Sequence, residues 1–144
     1  MKKIYIKSKD EMGKLAYNIA QDFITSNYKN KVIALHGTLG AGKSFFAKNF
    51  INALTDQETQ VLSPTFNLVY SYQTNLGEIF HFDLYRIKNT NELENIGFFE
   101  AINNNLTLIE WPKIAEKFLP KNHLAIIINC TDDSEAREVE ILYL

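Results

Sequence analysis

Val32-Ile33-Ala34-Leu35-His36-Gly37-Thr38-Leu39-Gly40-Ala41-Gly42-Lys43-Ser44 is the stretch on which the fold turns. Val32 to Leu35 is a short, wholly apolar run, the pattern of a strand buried on both faces of a parallel sheet. It feeds a segment that satisfies G-x-x-x-x-G-K-[ST] at every fixed position. Beyond it Phe45, Phe46, Phe50 and Leu54 continue as a helix. Strand, glycine-rich loop and helix in this order make a phosphate cradle. Gly37, Gly40 and Gly42 let the backbone fold tightly. Its successive N–H groups then form an anion nest, reinforced by the N-terminus of the helix. Thr38, Leu39, Gly40, Ala41, Gly42, Lys43, Ser44 and Phe45 are the expected nucleotide contacts. Lys43, solvent-facing in the empty protein, is to reach the β- and γ-phosphates, and Ser44 is to place its hydroxyl on Mg²⁺. At average residue frequencies the four fixed positions recur by chance in roughly half a percent of chains this long. The strand-to-helix context lowers that further. A dinucleotide fingerprint fails, because Phe45 stands where its third glycine belongs.

Outward from the loop, the pattern alternates strands and helices. Ile4 and Ile6 alternate with lysines as a short first strand. Ser8 and Glu11 have the spacing of a capping box, and Met12, Leu15, Ala16, Ile19 and Phe23 recur at helical spacing through about Thr25. Leu68 to Tyr72 and Ile79 to Asp83 read as strands joined by a turn at Thr74 to Gly77. Asn91 to Asn103 reads as helix broken near Gly97, Leu106 to Ile109 as a buried strand, and Pro112 as a helix start. Leu124 to Cys130 and Val139 to Leu144 are the last strands, with Thr131 to Arg137 short enough for an antiparallel hairpin. The expectation is one domain over residues 1–144: a P-loop NTPase-like three-layer α/β sandwich, its sheet mainly parallel with antiparallel edge strands.

A P-loop enzyme also needs a carboxylate near its metal, usually at the end of an apolar strand. Leu106-Thr107-Leu108-Ile109-Glu110 ends in one, and this favours Glu110 for the cation or its water. Phe80-His81-Phe82-Asp83 alternates, as a strand exposed on one face would, which makes Asp83 the second candidate. Its plainer alternative is pairing with Arg86 or capping a turn. Arg86 is the one plausible cationic finger, so hydrolysis by the protein alone is expected to be slow. No Asn-Lys-x-Asp run selects guanine, so adenine is the expected base, flanked by Arg137 unless that residue is simply a solvated hairpin arginine. His36, His81 and His123 lack metal-ligand spacing and read as strand-end or core residues.

With 15 basic against 17 acidic side chains, the net charge of −2 argues against tight direct binding to nucleic acid, whose phosphates call for a basic surface. Cys130 is the only cysteine, which excludes an internal disulfide, and its apolar run makes it a core thiol. Neither a signal-peptide apolar region nor a stretch of membrane-spanning length is present, so the expected location is the cytoplasm with no membrane contact.

His36 to Ser44, Ser63-Pro64-Thr65-Phe66, His81-Phe82-Asp83-Leu84-Tyr85-Arg86 and Ile109-Glu110-Trp111-Pro112 occur in that order. Together they closely resemble the TsaE family, the ATPase of bacterial tRNA threonylcarbamoyladenosine synthesis, over nearly the whole chain. The resemblance implies a Mg²⁺-dependent ATP hydrolase that acts with the TsaD and TsaB proteins and resets their complex between turnovers, meeting tRNA only through it. It implies Ser44 and Glu110 as Mg²⁺ ligands, Thr65 as a switch residue sensing the γ-phosphate, and activity roles for the segments holding Asp83 and Trp111. Thr38 stands where the family commonly has an acid, and Ser44 replaces the commoner threonine. If strand alternation runs on past Glu110, Trp111 points away from it, either into the core or free to meet TsaB or TsaD. Two other classes fit the motif: a small-molecule kinase, which needs an arginine-rich lid that is absent, and a nucleotide-dependent binding module without turnover.

Overall fold

The computed structural model describes residues 1–25, 31–55 and 60–144. Their strands form one seven-stranded sheet: β1 (Lys2–Ile6), β2 (Val32–His36), β3 (Val69–Thr74), β4 (Gly77–Asp83), β5 (Leu106–Glu110), β6 (Leu124–Cys130) and β7 (Arg137–Tyr143). The spatial order is β1-β7-β6-β2-β5-β4-β3. β6, β2, β5 and β4 run parallel at the centre. The hairpin partners β3 and β7 are antiparallel to that set, and β1 is antiparallel to β7. The mainly parallel sheet with antiparallel margins read from the sequence is the one observed.

Alternation along the central strands sorts the core into two layers. Ile33 and Leu35 of β2, Leu106 and Leu108 of β5, and Ile126 and Ile128 of β6 pack with Phe46, Phe50 and Leu54 of α2 (Lys43–Leu54). Outside them lie Met12, Ala16, Ile19 and Phe23 of α1 (Lys9–Thr25). The opposite face carries Val32, Phe82 and Ile109 against Leu93 of α3 (Asn91–Asn95) and Phe98, Ala101 and Ile102 of α4 (Phe98–Asn104). A helix layer on each face completes the three-layer sandwich.

Local chemistry explains most element ends. The Glu11 amide donates to Ser8 Oγ at 3.2 Å, while the Glu11 carboxylate accepts from the Lys7 amide at 2.7 Å, one residue earlier than a capping box has it. Gly97, at φ 72°, separates α3 from α4. Pro112 does start a helix, but Pro112–Phe118 is 3₁₀ rather than α.

Two expectations fail here. β4 is not exposed on one face: it lies between β3 and β5, with helices beneath, and His81, Phe82 and Asp83 are all buried. Its alternating polar residues face the site, not solvent. Cys130 is exposed, because β6 passes the last buried position at Ile128 before its final two residues.

Gly37 joins β2 to the loop at φ 154°, and a Cβ there would lie 2.7 Å from the carbonyl oxygen of Ile128. That obstacle is backbone of the neighbouring strand and cannot rotate away. Gly37→Ala is expected to cost about 2 kcal/mol or more in urea unfolding. Gly40→Ala, at φ 79° with no atom within 4 Å of the added carbon, is expected to cost only about 1 kcal/mol. Equal losses would mean that the crowding at Gly37 is not what requires glycine.

Candidate functional site

The site lies where β2, β5 and β4 end. Glu110 closes β5 and Asp83 closes β4, and the two are register partners on adjacent parallel strands. Leu35, the register partner of Glu110 on β2, precedes the glycine-rich loop by two residues. Both acids therefore face the layer of α1 and α2, beside the loop. Choosing between Glu110 and Asp83 by strand character is unnecessary, because the fold brings both carboxylates together.

Each carboxylate is held on both oxygens. Ser44 donates its hydroxyl to Glu110 Oε1 at 2.8 Å, and His81 Nε2 lies 2.7 Å from Oε2. Thr65 donates to Asp83 Oδ2 at 3.1 Å, and the Tyr85 amide donates to Oδ1 at 2.9 Å. The turn-capping alternative for Asp83 thus holds in part, alongside the contact to Thr65. Thr65 reaches it through a segment bent at Leu68, whose φ of 70° is left-handed and whose carbonyl accepts from the Asp83 amide at 3.0 Å.

Lys43 is not solvent-facing. It is 5% exposed. Its ammonium donates to the carbonyls of Gly37 and of Thr38, the latter at 2.9 Å, and sits 3.9 Å from the centroid of the Trp111 ring. Burial holds its pKa below the usual lysine value, opposed by the negative charges of Glu110 and Asp83. Trp111 does not point away from Glu110 either. β5 ends at Glu110, and Trp111 turns into the left-handed region at φ 56°, so strand alternation stops one residue before it. The indole bends over Lys43 and meets the exposed Tyr85 ring at 4.7 Å between centroids.

These residues line one cleft of about 350 Å³, walled by Lys9, Leu39, Gly40, Gly42, Lys43, Ser44, Phe45, Thr65, Asp83, Tyr85, Glu110 and Trp111. Behind the loop a smaller cavity of about 110 Å³ is lined by Ile6, Ser8, Met12, Ala41, Phe45 and Arg137 among others. Arg137 is no solvated hairpin arginine: Nε donates to the Ala41 carbonyl at 2.8 Å and a terminal nitrogen to that of Gly40 at 3.3 Å. Thr38 faces Cys130, with 3.8 Å between Oγ1 and Sγ. Arg86 stays outside the cleft, its guanidinium 5.7 Å from the Phe66 ring. His81 is buried, as the sequence reading of it as a core or strand-end residue has it, but its place in the site was not foreseen; its spacing two residues before Asp83 puts both on one face of β4, and that was the available signal.

A glycine-rich loop between a buried parallel strand and a helix, its lysine and serine converging on strand-end carboxylates, defines a P-loop-like α/β protein. The match to known proteins is narrower. The family model described as threonylcarbamoyl adenosine biosynthesis protein TsaE matches residues 6–139. The tRNA threonylcarbamoyladenosine biosynthesis protein TsaE of Rickettsia felis is 37% identical over 132 residues, 92% of this chain and 75% of the relative. The TsaE protein of Aquifex aeolicus is 38% identical over 112 residues, 77% of each. The crystal structure of YdiB from Bacillus subtilis superposes with a TM-score of 0.74 at 26% identity, covering 99% of this chain and 84% of that one. The chain belongs to the TsaE family, whose members take part in tRNA threonylcarbamoyladenosine biosynthesis. Among the described residues no helix is long and apolar enough to cross a membrane.

Trp111 is the single tryptophan, so tryptophan fluorescence, excited to the red of tyrosine absorption, reports on this cleft alone. Lys43→Met, which removes the cation beneath the indole, is expected to shift the emission maximum. Lys117→Met, beside Phe118 instead, should leave it in place. Identical spectra for wild type and Lys43→Met would mean that the indole does not cover the lysine.

Proposed function

We propose that this chain is a Mg²⁺-dependent ATPase of the cytoplasm that acts on the TsaB–TsaD complex, associating with it under nucleotide control and resetting it by hydrolysis. tRNA is met only through that complex. The observation that carries this reading is the convergence of Lys43, Ser44, Thr65, Asp83 and Glu110 on one cleft at the mouth of the glycine-rich loop.

In this reading the loop amides from Thr38 to Ser44, with the N-terminus of α2, hold the phosphates of ATP. Lys43 exchanges the carbonyls of Gly37 and Thr38 for the β- and γ-phosphates, a better match for its charge than two neutral acceptors. The cavity behind the loop takes the adenine, with Met12 and Phe45 as apolar walls and the Arg137 guanidinium at its edge.

The donor set suits Mg²⁺. Ser44 Oγ and Glu110 Oε1 are hard oxygens 2.8 Å apart, close to the roughly 2.9 Å between neighbouring ligands of an octahedron with 2.0–2.1 Å bonds. Ser44 would hold the ion directly, and Glu110 directly or through a water. The ion supplies charge neutralisation on the transferring phosphoryl group. Thr65, on Asp83, senses the γ-phosphate, and the pair orients the water that attacks its phosphorus as the bond to the bridging oxygen of ADP breaks. Among the described residues Lys9 and Lys43 are the cations lining the cleft and no arginine does, since Arg86 rests on Phe66, so turnover without partners is slow. Half-buried Trp111 and exposed Tyr85 form the rim through which a partner reads nucleotide state.

ATP turnover measured alone and then with purified TsaB and TsaD tests the whole reading; stimulation is expected, and its absence would remove the partner role. Lys43→Met is expected to lose ATP binding in calorimetry while keeping a cooperative melt. Glu110→Gln is expected to lower Mg²⁺-dependent turnover about 100-fold or more while ATP affinity changes far less. If Asp83→Asn abolishes turnover and Glu110→Gln does not, the roles of the two acids are exchanged.

A further inference from the structure

His81 is 1% exposed and Glu110 2%, and among the described residues no lysine or arginine forms an ion pair with Glu110. The hydrogen-bond inventory decides how they meet. An ionised carboxylate only accepts. Ser44 supplies a proton to Oε1, so Oε2 requires one from His81, which places the imidazole hydrogen on Nε2. Nδ1 then keeps a bare lone pair, and it is buried with no partner. A buried acceptor without a donor is tolerable, whereas a second N–H at that position would be a buried donor with nowhere to go. Tyr70 and Leu108 are its register partners on the two flanking strands.

We propose that His81 is a positioning residue, whose Nε2–H holds Oε2 of Glu110 so that Oε1 is presented to Ser44 and the phosphate loop. The inference rests on the ATPase reading above, in which the two grips on Glu110 differ in fate. The serine hydroxyl also meets the cation, through an oxygen lone pair, so its grip on Oε1 answers to the nucleotide. The grip from β4 is independent of the loop and persists. It keeps the carboxylate in one rotamer across the nucleotide cycle, as second-layer partners do for metal-ligating groups generally.

Replacing the donor and restoring it separate this role from simple core packing. Gln places an amide nitrogen near the position of Nε2, while Leu fills the volume with no donor. Mn²⁺ uptake beside a non-hydrolysable ATP analogue, read by electron paramagnetic resonance, is the main measurement. His81→Leu is expected to weaken Mn²⁺ about 10-fold or more, with metal-free nucleotide affinity within about threefold and His81→Gln close to wild type. Equal Mn²⁺ affinities for the two variants overturn the proposal. A ¹⁵N spectrum of the wild type, labelled at histidine, is independent of whether the variants fold. The Nε2–H tautomer at His81 supports the proposal, and the Nδ1–H tautomer overturns it. Wild-type protein that takes up no Mn²⁺ beside the nucleotide overturns the ATPase reading instead, and the tautomer still decides the contact between His81 and Glu110.

Discussion

A carboxylate buried at the end of a central strand is stable only when donors meet it, since desolvating the charge alone would cost several kcal/mol. Glu110 is met by Ser44 from α2 and by His81 from β4, so one acid ties the first turn of the loop's helix to two strands of the sheet. The rest of the site inherits its geometry from that tie. Asp83 is at Glu110's side through strand register, and Thr65 reaches Asp83. Lys43 precedes Ser44 by one residue and turns back under Trp111, the residue after Glu110.

The parts of this arrangement that were legible in the sequence are those governed by local rules. An apolar run followed by a glycine-rich loop and a phenylalanine-rich helix can fold in few ways, and the two-layer core follows from alternation along β2 and β5. The break at Gly97, the start at Pro112 and both hairpins are local as well. What was not legible depends on which strands become neighbours. β4 looks half-exposed by its alternating pattern until β3 and β5 flank it, and only then is His81 beside Glu110. The orientation of Trp111 was misread because a strand pattern was carried one residue too far; the proline that follows and the left-handed turn end the strand at Glu110. Cys130 is apolar by company but lies past the last covered position of its strand.

Lys43 and Arg137 show how a loop rich in glycine keeps its form. The two cations grip carbonyl oxygens of the same loop from opposite ends, Lys43 at Gly37 and Thr38 and Arg137 at Gly40 and Ala41. An anion nest needs its carbonyls satisfied elsewhere, and the two cations meet that requirement at four carbonyls of the loop.

The strand order carries a consequence for how the chain is made. β1 is hydrogen-bonded to β7, pairing Lys2 with Ile141 and Ile6 with Arg137. β1 is made before the other strands of this sheet and waits for β7 before its edge is matched, a contact of long sequence separation whose closure is slow. Until then its lysines, Lys2 and Lys3 with Lys7 just beyond, keep an unpaired edge charged and discourage pairing with other chains. Arrival of β7 also delivers Arg137 to the glycine-rich loop, so completing the sheet and bracing the loop are one event in biogenesis.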